Sequence, residues 1–402
     1  MLKKKEKIFA YKCVKCLKEF KQNEVEYTCP SCKDEGILDV LYDYEKIKAE
    51  FSKEKLALNN DFSLWRYKAL LPIDDNTKPF NIQVGFTPLY KSKSLELEYG
   101  LKNVYIKDDG RNPSASLKDR ASAIAVMDAL LNKKDTITCS STGNAGTSLS
   151  LFASIAGLKS VIYVPDNAPK PKLSQLLIYG STVYGVKGGY KKAFDLSMQM
   201  VNEKGFYNRN CAINPLLVEG KKTVALEMAE QLNFEIPDYV IVSAGDGCIT
   251  SSIYKGFFDL KALNITNKIP KIISVQASGC DAIKKAWENN GKLQDCKPNT
   301  LADSIAVAIP RNYIKAINAV NNSGGFFETV TDKEILEAMK LCATKTGVFA
   351  EPSAAASFAA FKKLAIASKI EKDASVVITI TGNGLKDTES AQKTGLDSYY
   401  EI

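Results

Sequence analysis

The chain has 402 residues, of which 45% are hydrophobic and 25% are charged, a composition typical of globular proteins. This length allows a large core that is divided over two or three domains. No run of about 18 apolar residues occurs, so we expect no membrane span. The ten cysteines are too sparse for a disulfide scaffold, and we therefore expect a cytoplasmic protein.

The charge pattern and the histidine content narrow the chemistry. The net charge is +8, but basic and acidic residues alternate along the chain, whereas a nucleic-acid-binding protein would concentrate basic residues on one face. The sequence has no histidine, which excludes Ser-His-Asp and Cys-His nucleophiles and His-ligated catalytic metals. Acid–base chemistry near neutral pH is left to Lys, Glu, Asp, Tyr or Cys, and a lysine is the natural candidate.

Residues 1–45 are predicted to form a small separate module. Two β-type stretches, residues 8–12 and 25–28, each lead into a Cys-x-x-Cys pair, and a charged segment from Asp43 to about Lys55 predicts a helix. Two such pairs, twelve residues apart, have the spacing of a structural zinc ribbon with four thiolate ligands. The ligands would be Cys13, Cys16, Cys29 and Cys32. The alternative is a ribbon of four reduced thiols that holds no metal.

The rest of the chain alternates strand-type and helix-type segments. This βαβ rhythm predicts an α/β fold with mostly parallel open sheets covered by helices, in which ligands bind at the carboxyl ends of strands. Predicted helices include residues 117–132, which we expect to be amphipathic, and residues 147–156, 172–179 and 191–203. The predicted strands are residues 104–107, 136–139, 160–165, 182–186, 205–207, 239–243, 272–276 and 374–379.

A candidate lysine lies in the motif Asn112-Pro113-Ser114-Ala115-Ser116-Leu117-Lys118-Asp119-Arg120. Asn-Pro ends the preceding strand, and Ser114 or Ser116 can cap the helix that follows. Lys118 then lies in the first helical turn, where the helix dipole disfavours an ammonium and favours a phosphate or carboxylate. That environment helps a lysine to form a Schiff base. The alternative is an exposed lysine in an ordinary capped helix.

Three loops of small residues follow predicted strands. Two of them, residues 140–147 and 244–251, join a strand to a helix and offer backbone N–H groups to a carboxylate or phosphate. The second lacks the last glycine of a dinucleotide fingerprint, so a plain phosphate cradle is the better interpretation. The third loop begins at Thr381, whose hydroxyl could reach a buried ring nitrogen. Each loop could instead be a simple turn.

In their order along the chain, these motifs resemble those of the threonine synthase family, within the fold-type-II pyridoxal-phosphate enzymes. The resemblance covers nearly the whole chain. It also includes Tyr42-Asp43-Tyr44, Leu64-Trp65-Arg66-Tyr67, Thr87-Pro88-Leu89, Glu219-Gly220-Lys221-Lys222-Thr223, Ala350-Glu351-Pro352 and Leu385-Lys386-Asp387.

The resemblance implies a fold-type-II architecture of two domains plus the N-terminal module, in a homodimer. We predict that residues 1–45 form the zinc-ribbon-like module and residues 122–228 a small domain that closes over the substrate. Residues 46–121 and 229–402 would form the large domain that binds the cofactor.

The resemblance also implies pyridoxal 5'-phosphate as the cofactor and assigns roles to the motif residues. Lys118 would hold the cofactor as a Schiff base and act as general base. Asn144 would bond the ring oxygen of the cofactor and Thr381 its ring nitrogen, while Ser141 and Thr142 would hold the substrate carboxylate. The implied reaction converts O-phosphohomoserine and water to threonine and phosphate by γ-elimination and β-addition. The cofactor phosphate would lie on Ala244, Gly245, Asp246, Gly247 and Cys248.

Three positions depart from the pattern of the family, all on the substrate side. Leu217 stands where an arginine usually precedes Glu-Gly-x-Lys-Thr, with Arg209 nearby in the sequence. Asn383 replaces the histidine of Thr-Gly-His-Gly, and Gln83-Val84-Gly85-Phe86 stands in place of the usual Gly-Glu-Gly before Thr-Pro-Leu. Open alternatives are therefore a related β-replacement enzyme such as cysteate synthase, an ammonia-lyase or thiolase-type subunit, and a non-catalytic scaffold.

Overall fold

The computed structural model describes residues 5–73 and 80–395. They group into two compact units, each built from two stretches of the chain. Unit 1 combines the stretch that ends at Gly85 with Lys118–Thr223, and unit 2 combines Phe86–Leu117 with the stretch that begins at Val224.

The strands carry mainly β-branched and aromatic residues, which favour a pleated, buried surface. In chain order they are β1 (Ile8–Cys13), β2 (Glu19–Phe20), β3 (Leu38–Tyr42), β4 (Leu89–Lys91), β5 (Asn103–Asp108), β6 (Thr136–Ser140), β7 (Lys159–Pro165), β8 (Thr182–Val186), β9 (Tyr207–Asn208), β10 (Tyr239–Ser243), β11 (Lys271–Ala277), β12 (Phe326–Val330) and β13 (Ser375–Ile380).

The α-helices commonly end at a glycine in the left-handed conformation, where a residue without a Cβ is unstrained. They are α1 (Tyr44–Lys48), α2 (Lys53–Ala57), α3 (Lys93–Tyr99), α4 (Lys118–Leu131), α5 (Asn144–Ala156), α6 (Lys170–Leu177), α7 (Gly189–Lys204), α8 (Leu216–Lys221), α9 (Thr223–Gln231), α10 (Cys248–Ala262), α11 (Ala282–Glu288), α12 (Tyr313–Ser323), α13 (Asp332–Thr346), α14 (Pro352–Ile366) and α15 (Thr388–Gly395). Short 3₁₀ turns occupy Lys33–Glu35, Leu64–Leu70, Asp109–Arg111, Asp303–Ile305 and Gly384–Lys386.

Unit 1 contains the N-terminal module and a parallel sheet. The module is an antiparallel sheet in the order β2-β1-β3. Its residues pack on the rest of unit 1: Lys5 pairs with Asp128 of α4 at 2.8 Å, and the ring of Tyr27 meets that of Tyr207 edge to face. The second sheet has the order β8-β7-β6-β9 and is parallel throughout.

Unit 2 is built on a six-stranded sheet in the order β12-β11-β10-β13-β5-β4. All neighbouring strands are parallel except the edge pair β4 and β5. Every residue of β10 is buried, as expected for a central strand covered on both faces. The alanine-rich helix α14 is buried from Pro352 to Phe361, because small side chains allow close packing. The two parallel sheets confirm the predicted α/β class.

Some sequence-based expectations at the level of elements were wrong. Residues 25–28 form no strand and make only an isolated bridge from Thr28 to Ile37. The helix expected over 43–55 is split into α1 and α2. Helix α4 is not amphipathic, since residues 119–129 are all buried. Within the described residues, no helix combines the length and the apolar composition that a membrane crossing requires.

The compact units divide the chain differently from the predicted domains. The N-terminal module groups with Lys118–Thr223, and so does the segment 46–85 that we placed in the large domain. The domain boundaries and the closing motion of residues 122–228 stay a prediction.

Candidate functional site

The motif residues fall into two groups, one in each unit. In unit 2, the residues from Ala244 follow β10 and those from Thr381 follow β13, and these two strands are parallel neighbours. Both segments therefore start at the same carboxyl edge of the six-stranded sheet, the edge at which ligands bind in parallel sheets. In unit 1, Ser141 follows β6, and Lys118 is the first residue of α4.

The loop 244–248 has no room for larger residues at its glycines. A Cβ on Gly245 would lie 2.9 Å from the Cα of Ile305, and one on Gly247 would lie 2.8 Å from the Cβ of Ala316. Gly247 also has a φ of +88°, which L-residues rarely adopt. It is the N-cap of α10 and supplies no side-chain cap. The first N–H groups of this 15-residue helix lack intrahelical partners, so the loop suits an anion.

Asp246 places a carboxylate within this loop, where it would repel a phosphate. The structure ties the carboxylate to a neighbouring segment: Oδ1 accepts from the N–H of Arg311 at 2.6 Å. The Asp246 carbonyl also accepts from the N–H of Asn312 at 3.2 Å. Asp246 therefore fixes the loop to the start of α12, and an anion would be bound by the backbone N–H groups instead.

The loop after β13 holds the end of the lysine motif. Thr381 is buried, and its carbonyl accepts from the N–H of Leu117 at 2.9 Å. The N–H of Asn383 donates to the carbonyl of Ala115 at 3.0 Å. The Asn383 side chain accepts from the N–H of Leu385 at 2.9 Å, so this departure from the family motif closes a local turn. Lys118 follows directly after the anchored Leu117.

The loop 141–146 in unit 1 repeats the arrangement of loop 244–248. Helix α5 begins at Asn144, which is buried, and Gly143 caps it without a side chain. The hydroxyl of Ser141 accepts from the N–H of Gly143 at 3.3 Å. A Cβ on Gly146 would overlap the carbonyl oxygen of Ser141, so only glycine allows this tight turn. Ser141 and Thr142 are half-buried, and their hydroxyls lie at the uncapped helix start.

Lys118 begins α4 and is half-buried, which contradicts the alternative of an exposed lysine. Beside it lies Arg209, directly after β9, with a side chain only 1% exposed. Its Nη2 donates to the carbonyl of Lys118 at 3.4 Å and to the hydroxyl of Ser122 at 3.0 Å. Leu217, where the family usually has arginine, is completely buried within α8. From the sequence, Arg209 could be noticed only because it lies near Leu217, since the burial of a single arginine side chain has no sequence pattern.

Glu227 is a residue of this region that the sequence did not single out. Its carboxylate accepts from the N–H of Phe86 at 2.6 Å and from the N–H of Thr87 at 3.2 Å. The buried carboxylate therefore fixes the Thr87-Pro88-Leu89 turn of unit 2. A glutamate within a helical pattern is normally predicted to be exposed, so no local sequence pattern indicated that Glu227 is buried.

The four cysteines of the N-terminal module come together. Their sulfur atoms all lie within 4.8 Å of one another, and the Sγ atoms of Cys16 and Cys29 are 3.8 Å apart. A tetrahedral zinc with Zn–S bonds of about 2.3 Å requires a similar sulfur spacing. The two knuckles share one geometry, in which Leu17 N–H donates to the Cys13 carbonyl and Lys33 N–H to the Cys29 carbonyl. The arrangement therefore fits a structural metal.

Comparisons with known proteins define the class. The family described as "Pyridoxal-phosphate dependent enzyme" matches residues 81–382, three quarters of the chain. The fold agrees: the solved threonine deaminase isoform 2 of Solanum lycopersicum superposes with a TM-score of 0.66 over 78% of this chain and 88% of that chain, at 20% identity. The protein is a pyridoxal-phosphate-dependent enzyme of the fold-type-II class.

Curated relatives give the family within this class. The threonine synthase of Methanocaldococcus jannaschii is 39% identical over 94% of this chain and 93% of its own length. That of Methanosarcina acetivorans is 37% identical over 95% of this chain and 93% of its own length. At this identity and coverage, the chain belongs to the threonine synthase family. The predicted family, enzyme class and cofactor are therefore confirmed.

Proposed function

We propose that the protein converts O-phosphohomoserine and water to threonine and phosphate. The observation that carries this proposal is the 39% identity to a threonine synthase over 94% of the chain. The exact substrate, the site residues and the domain roles are part of the proposal.

The residues present fit the cofactor. Neighbouring segments lie so close to loop 244–248 that a Cβ at Gly245 or Gly247 would collide with them. The loop leads into α10, whose first turn has no side-chain cap. Such a loop is suited to the cofactor phosphate. In this proposal Thr381 holds the ring nitrogen, Asn144 holds the ring oxygen and Lys118 makes the covalent link. When bound, pyridoxal phosphate supplies an electron sink for charge that develops next to the amino group of the substrate.

The chain's own groups would bind the substrate and move its protons. Ser141 and Thr142 hold the substrate carboxylate at the start of α5. The amine of Lys118 removes the proton from the α-carbon and then one from the β-carbon, and phosphate leaves the γ-carbon with the bonding electron pair. A proton is then delivered to the γ-carbon, which becomes the methyl group. Water adds its hydroxyl at the β-carbon, and the α-carbon regains a proton. One lysine serves several transfers, which suits a sequence without histidine.

Turnover of two substrates by the purified protein tests the reaction. Threonine and inorganic phosphate should form together from O-phosphohomoserine, while O-phosphoserine with sulfite should give no product. Lys118→Ala should lose both the visible absorbance of the covalent lysine–cofactor link and the activity. Lys133→Ala, in the exposed turn that follows α4, should retain both. Turnover of the second substrate pair alone would overturn the proposal.

A related β-replacement enzyme or ammonia-lyase is the second candidate. It is favoured by Leu217, whose buried aliphatic side chain stands where the family usually has an arginine. The same two-substrate assay separates it from the first candidate.

The molecular context is also part of the proposal. We infer a homodimer in the cytoplasm, with residues 122–228 as the substrate-closing part and with no nucleic-acid partner. The four cysteines would hold one structural zinc ion. Light scattering on the eluting protein, which should give twice the chain mass of 44.1 kDa, tests the dimer.

A further inference from the structure

Arg209 is a buried cation without an acidic partner. Its side chain is 1% exposed. Its hydrogen bonds go to neutral groups, namely the Ser122 hydroxyl from Nε at 3.1 Å and from Nη2 at 3.0 Å, and the Lys118 carbonyl from Nη2 at 3.4 Å. Among the residues that the structure describes, no carboxylate lies within 4.0 Å of this guanidinium. A buried charge without a counter-ion is costly, so a protein retains one where a ligand supplies the opposite charge.

Two other buried cations of unit 1 have an acidic partner. Lys5 pairs with Asp128 at 2.8 Å, and Lys222 pairs with Glu219 at 2.5 Å. Lys221 contacts the Cys211 thiol. Arg120 is also completely buried and donates to the Thr223 hydroxyl at 2.9 Å. Arg209 differs from Lys221 because its planar fork of donors matches a phosphate. It differs from Arg120 because it lies at the carboxyl end of a strand, β9.

The position of Arg209 relates it to the proposed chemistry. It follows β9, and β9 is the parallel neighbour of β6, which leads into the Ser141 loop. The side chain of Asn210, the next residue, accepts from the N–H of Ser140 at 3.0 Å. The charge of Arg209 also acts on Cys139: burial raises the pKa of the Cys139 thiol to about 11, and the positive charge of Arg209 opposes that rise. Arg209 therefore lies at the carboxyl edge of the sheet in unit 1, beside Lys118.

The geometry points to Arg209 as the residue that binds the phosphate group of the substrate, in place of the arginine that Leu217 replaces. This inference rests on the proposed function. The other two anions already have sites, since the cofactor phosphate is placed on loop 244–248 and the substrate carboxylate on Ser141 and Thr142. The leaving phosphate is the anion that remains.

The test uses the holoenzyme, in which the cofactor fills its own phosphate site, with inorganic phosphate as the probe. Arg209→Gln should raise the Kd for inorganic phosphate and the KM for O-phosphohomoserine by about 10- to 100-fold, since a charge-assisted pair is lost. The visible absorbance of the bound cofactor should stay unchanged. Ser122→Ala removes the support of the guanidinium but keeps its charge, and should change either constant by less than about threefold.

Two outcomes would overturn the inference: a phosphate Kd within about threefold of wild type in Arg209→Gln, or an equal loss in Ser122→Ala, which would show a structural role. If Arg209→Gln does not fold, Arg209→Lys decides. Arg209→Lys keeps the positive charge but loses the planar guanidinium and its two parallel donors. A Kd for phosphate raised about tenfold in this variant supports the inference, and an unchanged Kd contradicts it. Phosphate binding through Arg209 without turnover of O-phosphohomoserine would reject the proposed reaction and retain the anion site.

Discussion

At the scale of single residues, the Thr87 turn depends on one buried ion pair. Lys107 donates to Glu227 at 2.7 Å, and both side chains are completely buried. Lys107 also donates to the carbonyl of Thr87 at 2.7 Å. Glu227→Gln should lower the free energy of unfolding by about 3–5 kcal/mol, because it removes the charged carboxylate from the buried Lys107 ammonium. Urea denaturation followed by circular dichroism measures this loss.

An exposed pair of unit 2 supplies the control for that experiment. Lys345 and Glu98 lie 2.7 Å apart but remain 41% and 32% exposed. Glu98→Gln should therefore cost less than about 1 kcal/mol. The double variant Lys107→Met/Glu227→Met removes both buried charges but also the carboxylate that accepts from the N–H groups of Phe86 and Thr87, so it should recover only part of the loss. Equal effects of Glu227→Gln and Glu98→Gln would contradict the role given to the buried pair.

Gly247 supports a second prediction at this scale. Gly247→Ala should weaken cofactor binding at least about tenfold, because the new Cβ would press on Ala316 and the backbone has a φ of +88°. A titration of the apoprotein with pyridoxal phosphate, followed by absorbance, measures the Kd. Gly324→Ala is the matched control, since Gly324 has a φ of +68° but open space around its Cβ position. Gly324→Ala should leave the Kd unchanged. A similar rise in the Kd for both variants would contradict the role of loop 244–248 in cofactor binding.

The residues proposed for the cofactor can be picked out from local motifs of the sequence, whereas a residue for the substrate phosphate cannot. Lys118, Asn144 and the glycines of loop 244–248 lie in short motifs whose backbone geometry is local, at a strand end and a helix start. The interaction of Arg209 with Ser122 and Lys118 joins positions 87 and 91 residues apart in the chain. Such contacts depend on tertiary packing, and a single sequence carries no local pattern for them.

At the scale of elements, the N-terminal module is held to unit 1 by contacts that extend from the cysteine cluster. The ring of Tyr42, at the end of β3, lies under the ammonium of Lys222 at 4.1 Å, and Lys222 pairs with Glu219 in α8. Loss of the metal should loosen β1 and β3, because closed four-thiolate sites contribute folding free energy directly.

Metal analysis tests this prediction. The purified protein should hold one zinc ion per chain, and Cys29→Ser should lose the zinc and lower the melting temperature. Cys296→Ser, outside the cluster, should keep the zinc. A full zinc complement in Cys29→Ser, or an unchanged melting temperature without zinc, would reject the structural role.

Most strands of the two parallel sheets were predicted to within two residues, but β2, β3, β4 and β12 were not predicted. Buried parallel strands such as β10 and β13 are continuous runs of β-branched residues, so their limits are visible in the sequence. Helix α5 starts three residues before the predicted position, since its first turn contains asparagine and glycine, which usually indicate a loop. Helix α4 lacks a polar face because it is buried on all sides, and periodicity cannot reveal a helix of that kind.

At the scale of the whole molecule, one construction occurs in both units. A parallel strand ends in a loop of small residues, and the loop opens a helix that has no side-chain cap, at β6–α5 in unit 1 and at β10–α10 in unit 2. Each helix start is suited to one anion. The proposed reaction brings three anionic groups, namely the cofactor phosphate, the substrate carboxylate and the substrate phosphate. In the proposed function these helix starts would bind the cofactor phosphate and the substrate carboxylate. The substrate phosphate would then require a side-chain cation, the role inferred for Arg209.

Cofactor removal should show this dependence on anions in the stability of the molecule. A ligand that binds only the folded protein stabilises it by about 2.7 kcal/mol at a concentration of 100 times its Kd. The apoprotein should therefore melt several degrees below the holoenzyme, and the difference should grow with added pyridoxal phosphate. Pyridoxal without its phosphate should restore less of the melting temperature, because loop 244–248 would then hold no anion. Equal stabilisation by pyridoxal and by pyridoxal phosphate would contradict the assignment of that loop.

Lys118→Ala should still gain stability from pyridoxal phosphate, by the non-covalent contacts of the cofactor alone.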